Sequence, residues 1–101
     1  MLDIDEYFVV RLTDDAGTRR ARRIARRAFL ALDGVRDWRT HRSVATDRPT
    51  LFVETFTFAD EEVARAAGAR FSQMDETRAF LAHIDETILG QHFIDVTEDQ
   101  E

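Results

Sequence analysis

The chain lacks cysteine, lysine and asparagine altogether, and none of its apolar runs approaches the length of a membrane span. Without thiols there can be no disulfide framework, thiolate zinc site or cysteine nucleophile. Without lysine there is neither a Schiff-base amine nor the ammonium of a phosphate-binding loop. A helical span needs roughly 18 uninterrupted apolar residues, so no membrane association is expected. The start, MLDIDEYF, carries Asp3, Asp5 and Glu6 where a secretory or organellar leader would be basic, and the expected location is the cytoplasm. All 14 basic residues are arginine, and 20 acidic residues bring the formal charge to −6. That sign opposes the phosphate-driven attraction behind most nucleic-acid binding, so nucleic acid is not an expected partner.

What the chain does have is a pronounced apolar pattern. Of its 101 residues 44% are hydrophobic, enough for one domain over residues 1–101 with its own core. The runs YFVVRL (Tyr7 to Leu12) and LFVETFTF (Leu51 to Phe58) carry large apolar side chains on both strand faces. Phe8, Val10 and Leu12 can meet a helix, whereas Tyr7, Val9 and Arg11 point the other way. A chain this short supplies helices for one face, so a second copy is expected to cover the other and make a homodimer.

Between these strands the period changes. Ala21, Ile24, Ala25, Ala28, Phe29 and Leu32 recur at helical spacings, predicting a helix over about residues 16–32, with Thr13, Asp14 and Asp15 offering a turn and a cap before it and Gly34 after its end. The polar segment from Val35 to Val44 reads as an edge strand, and Thr46 to Pro49 as a hairpin loop. Asp60 caps a second helical region in which Gly68 marks a break and Asp75 is a second cap, the stretch after it carried on by Phe80, Leu81, Ile84 and Ile88. Gly90 closes that region, and His92 to Val96 form the last strand. The order is βαββαβ, a ferredoxin-like α+β plan with a four-stranded antiparallel sheet. An RNA-recognition domain shares this order, but LFVETFTF lacks that fold's leading basic residue and glycines, and puts Glu54 among the aromatic positions.

The element order, the step Glu54-Thr55-Phe56 running into ADEEVA, and the segment ETRAFLAHI (Glu76 to Ile84) resemble the antibiotic biosynthesis monooxygenase-like family. The resemblance implies a dimeric α+β barrel whose cavity, between sheet and helices, serves cofactor-independent oxidation of phenolic compounds or, in other members, haem degradation. The phenol oxidases use Asn, Trp and His; this chain has Trp38 and His41, which alternation puts on opposite strand faces. Resemblance to the haem-degrading members selects His83, in AFLAH, as an iron ligand.

The residues themselves nominate Glu54, set between Phe52 and Phe56, as a base or an ion-pair partner of Arg11 or Arg39. The expected catalytic set is His83, Glu54 and Arg11, with His83 or Glu54 taking a proton and Arg11 holding the anion. Tyr7, Trp38, Phe56 and His92 are the expected ligand contacts for a small aromatic molecule. His41, His83 and His92 show no metal-ligand spacing, so no metal is expected, and no resident cofactor beyond the haem alternative. Arg19, Arg20, Arg22, Arg23, Arg26 and Arg27 form an outward basic helix face. A non-catalytic homodimeric binding or structural module is the competing reading, to be separated by whether the barrel is open or filled.

Overall fold

A computed structural model describes residues 2–96. Its elements run β1 (Ile4–Leu12), α1 (Ala16–Leu30), β2 (Val35–Arg42), β3 (Phe52–Phe58), α2 (Glu61–Phe71), α3 (Asp75–Leu81) and β4 (Ile84–Phe93). The strands form one antiparallel sheet in the order β2-β3-β1-β4, the ferredoxin-like arrangement. The helices cover one face only. Among the described residues no helix is long and apolar enough to cross a membrane.

Local chemistry explains the helix ends. The Asp15 carboxylate accepts from the Thr18 N–H at 2.8 Å and caps α1; Asp60 does the same for α2 through the Val63 N–H at 2.9 Å. The chain leaves α1 through Gly34, whose φ of 82° is left-handed. Helix α2 presses on that turn: a Cβ at Gly34 would lie 2.7 Å from both γ carbons of Val63.

The core lies between the sheet and α1. Phe29 points into an aromatic group with Trp38, Phe56, Phe58 and Phe71, each pair meeting edge to face. Val10, Phe52, Phe58 and Phe80 are buried around it, and each such side chain contributes about 1.5–3 kcal/mol.

Two boundaries differ from the sequence expectation. The break in the second helical region falls after Phe71, while Gly68 lies inside α2. The Thr77 hydroxyl donates to the Phe71 carbonyl, satisfying a helix-end acceptor at the joint, a service Gly68 cannot offer; the cap position of α3 falls on Met74 and not on Asp75, which is the helix's first residue. Helix α3 also stops at Leu81, so Ile84 and Ile88 belong to β4, and Gly90 sits mid-strand opposite Phe8. Of the expected last strand only His92 and Phe93 are paired. A spacing of four is even, so Phe80, Ile84 and Ile88 satisfy a strand's period as well as a helix's, and pairing with β1 decides between them.

Candidate functional site

Two carboxylates interrupt the helix-facing side of the sheet. Glu6 of β1 pairs across the ladder with Phe56, and Glu54 of β3 with Phe8, so the two stand diagonally on neighbouring strands. Their surroundings give them different chemistry.

Glu54 is 0% exposed and fully occupied. Arg22 donates from Nε to Oε1 at 3.2 Å and from Nη2 to Oε2 at 3.0 Å. The Trp38 indole N–H and the Thr40 hydroxyl both donate to Oε1, at 2.8 and 2.6 Å. The Arg22 guanidinium also lies over the Phe52 and Phe80 rings, 5.7 and 5.3 Å from their centroids. Three of these bonds converge on Oε1 and one on Oε2, and with no exposed surface this ion-paired carboxylate is closed to a substrate. The sequence pointed to Arg11 or Arg39 as its partner. Both lie on the opposite sheet face, Arg11 paired with Glu86 at 3.2 Å and Arg39 with Asp37 at 3.4 Å. Helix α1 supplies Arg22 because residue 22 shares the inward face with Thr18, Ala25 and Phe29. The basic face is thus not wholly outward: Arg26 also turns back, donating to the Trp38 carbonyl at 2.9 Å.

Glu6 faces the His92 imidazole, whose Nε2 lies 3.5 Å from Oε1. Burial raises the Glu6 carboxyl above its ordinary range, and the facing imidazole pulls it part of the way back. The carboxylate borders a cavity of about 180 Å³ between the sheet and the helices, walled by Phe8, Phe29, Phe56 and Phe71. Phe29 and Phe56 are buried and make its floor, whereas Gly68 in α2 and Ser72 at the C-terminal cap of that helix, both exposed, make its mouth. A cavity of about 150 Å³ accepts benzene, so this one has room for a single aromatic ring. The site therefore combines an apolar ring-shaped space with one proton-accepting group whose affinity for the proton is enhanced.

A larger trough of about 550 Å³ runs between the turn after α1 and α2, lined by Asp33, Asp60, Glu62 and Arg70 among others. It is a charged surface depression, and its Asp60 carboxylate is engaged in capping α2.

Among the residues singled out from sequence, Phe56 lines the cavity and His92 stands beside its carboxylate. Trp38 lies behind the floor, 4.9 Å from the Phe56 ring. Tyr7 is on the far side of the sheet, edge-on to Phe93 at 5.2 Å, and Arg11 shares that side. His41 is exposed there, so the expected opposition of Trp38 and His41 is seen in the register of β2 with β3. His83 follows α3 and meets α1: its Nδ1 is 3.2 Å from the Thr18 hydroxyl. The Asp15 carboxyl there is held below its usual range, chiefly by the Thr18 N–H and hydroxyl, with His83 adding a little. His83, Glu54 and Arg11 thus occupy three separate environments. A haem ligated by His83 does not fit: His83 is not in the cavity lining, and a porphyrin far exceeds a one-ring space. Among the described residues no three His or carboxylate side chains gather as a metal-binding group.

Glu6 was not among the sequence candidates, although the signal that exposed Glu54 was present for it too. Alternation puts Ile4, Glu6, Phe8, Val10 and Leu12 on one strand face, a lone carboxylate in an apolar row.

Fold and sheet order define a ferredoxin-like α+β domain whose structural neighbours are antibiotic biosynthesis monooxygenase-like and dabb proteins. No family model matches the sequence, and no curated protein matches it either. A protein assigned as an antibiotic biosynthesis monooxygenase, from Bordetella bronchiseptica, superimposes with TM-score 0.76 at 16% identity, covering 96% of this chain and 100% of that one. A dabb family protein with a ferredoxin-like fold from Mesorhizobium loti gives TM-score 0.64 at 18% identity, over 96% and 100% of the two chains. SnoaB, a cofactor-independent oxygenase from Streptomyces nogalater, gives TM-score 0.65 at 13% identity, over 97% and 95%. At these identities the likeness is one of fold.

Proposed function

We propose that this chain is a homodimeric, cofactor-independent oxygenase for a small, single-ring phenol or similarly acidic enol, bound in the Glu6 cavity. The observation that carries the reading is one carboxylate of raised proton affinity in the wall of an aromatic cavity sized for one ring. Edge-to-face phenyl walls favour a flat aromatic guest. Ionised Glu6 takes the phenolic proton, and the electron-rich ring carbon bonds to O2. The resulting peroxide collects that proton from Glu6. Loss of the ring C–H proton then expels hydroxide, so one phenol and one O2 yield one quinone and one water. His92, opposite Glu6, stabilises the carboxylate before substrate binds. The fold shared with SnoaB, described as a cofactor-independent oxygenase, supports the reaction class.

The dimer part of the proposal rests on the uncovered sheet face. Tyr7, Leu89 and Phe93 are 38%, 39% and 41% exposed there, beside Val9 and Val53, a contiguous apolar surface of the kind that marks an interface.

Oxygen uptake and calorimetry with a panel of phenols and hydroquinones test the reading. Turnover by the wild type, with kcat lowered about 10²–10⁴-fold in Glu6→Gln, is the expected result. Binding without oxygen uptake would leave a ligand-binding module, and no binding at all a structural one.

A further inference from the structure

Helix α2 carries a glycine in its interior, where that residue weakens a helix relative to alanine. Nothing in the fold demands it. Gly34 is the one glycine with positive φ, so Gly68 has an ordinary backbone conformation. A Cβ built on Gly68 meets nothing within 4 Å. Yet Gly68 lines the cavity and is exposed to solvent, so the missing side chain is a gap in the cavity's rim.

We propose that Gly68 is the portal of the Glu6 cavity and determines which ligands fit. A first ring seats on Phe29 and Phe56 and fills the interior; a second fused ring, or a short apolar substituent, extends outward through the gap. The substrate class widens accordingly from bare phenols to aromatic alcohols extended on one side. Ser72, one turn further along the same rim, engages its hydroxyl with the Ala69 carbonyl at 3.1 Å, which keeps that side chain along the helix. This inference rests on the reading of the cavity as the substrate site.

The test is calorimetric titration of wild type, Gly68→Ala and Gly68→Leu with phenol and with 2-naphthol. Wild type is expected to bind both. One methyl in the gap is expected to weaken 2-naphthol about tenfold or more, the range for one carbon in an apolar pocket, and phenol less. Leucine is expected to weaken both. Alanine and leucine are better helix formers, so both variants are expected to melt at or above the wild-type temperature. Equal 2-naphthol affinity in all three proteins overturns the portal and leaves the cavity reading standing. A lowered melting temperature for Gly68→Ala overturns the open gap. A wild type that binds neither compound overturns both inferences.

Discussion

Glu6 and His92 face each other across the β1–β4 ladder, the imidazole Nε2 3.5 Å from the carboxylate. The pair sits at the edge of the aromatic core, where the desolvation of one charge is only partly offset by the other.

The raised Glu6 pKa carries a sign for stability. The folded protein holds this proton more tightly than the unfolded chain does, so the stabilisation is complete at low pH and is lost as pH rises from the ordinary carboxylate range through the raised value. Glu6→Gln keeps a neutral group at every pH. It is expected to melt above the wild type near neutral pH, with the difference closing below about pH 4. Melting curves across that range check it; a Gln variant that melts lower at neutral pH would mean that the His92 pair outweighs burial.

Removing Glu54 leaves Arg22, Trp38 and Thr40 with stranded donors, one of them a guanidinium 13% exposed. Glu54→Ala is expected to cost about 3–5 kcal/mol in urea unfolding. The double variant Arg22→Met with Glu54→Leu is expected to cost less than Glu54→Ala alone, because no charge then remains buried. If the double variant costs the sum of its parts, the two groups act independently.

Gly34 and Gly68 should respond in opposite directions to alanine. At Gly34 the left-handed φ and the 2.7 Å approach of Val63 both oppose a Cβ, and a loss of at least about 1–3 kcal/mol is expected. Adding Val63→Ala should recover the steric part and leave the backbone part. A double variant no more stable than Gly34→Ala would remove Val63 from the explanation.

Phe93→Asp puts a charge into the uncovered apolar face and is expected to convert a dimer into single chains of 11.7 kDa by light scattering. Phe56→Asp, by contrast, strikes the helix-facing core, where Phe56 is 3% exposed. It is expected to unfold the chain. A wild type already at the single-chain mass would remove the homodimer.

A cap within Thr13 to Asp15, the cap at Asp60, the turn at Gly34, the opposed directions of Trp38 and His41 and a carboxylate inside an apolar strand were all legible in the sequence. Each depends on residues a few positions apart, whose hydrogen bonds and alternation are local consequences of backbone geometry. The start of β4 was not legible, because an even spacing of apolar residues serves both periods until a neighbouring strand accepts the backbone. The partner of Glu54 was equally hidden: β1, β2 and each of the three helices offer an arginine, and only the packing of α1 on β3 selects Arg22.

The sequence by itself therefore determined the βαββαβ order and the two-sided apolar character of the sheet, through short-range periodicity. Only the tertiary structure decided which carboxylate is engaged and which borders a cavity. Those outcomes depend on how elements distant in the chain share volume and hydrogen-bond donors. Arg22, Trp38 and Thr40 consume the oxygens of Glu54, while four phenyl rings from β1, α1, β3 and α2 leave a ring-sized space beside Glu6.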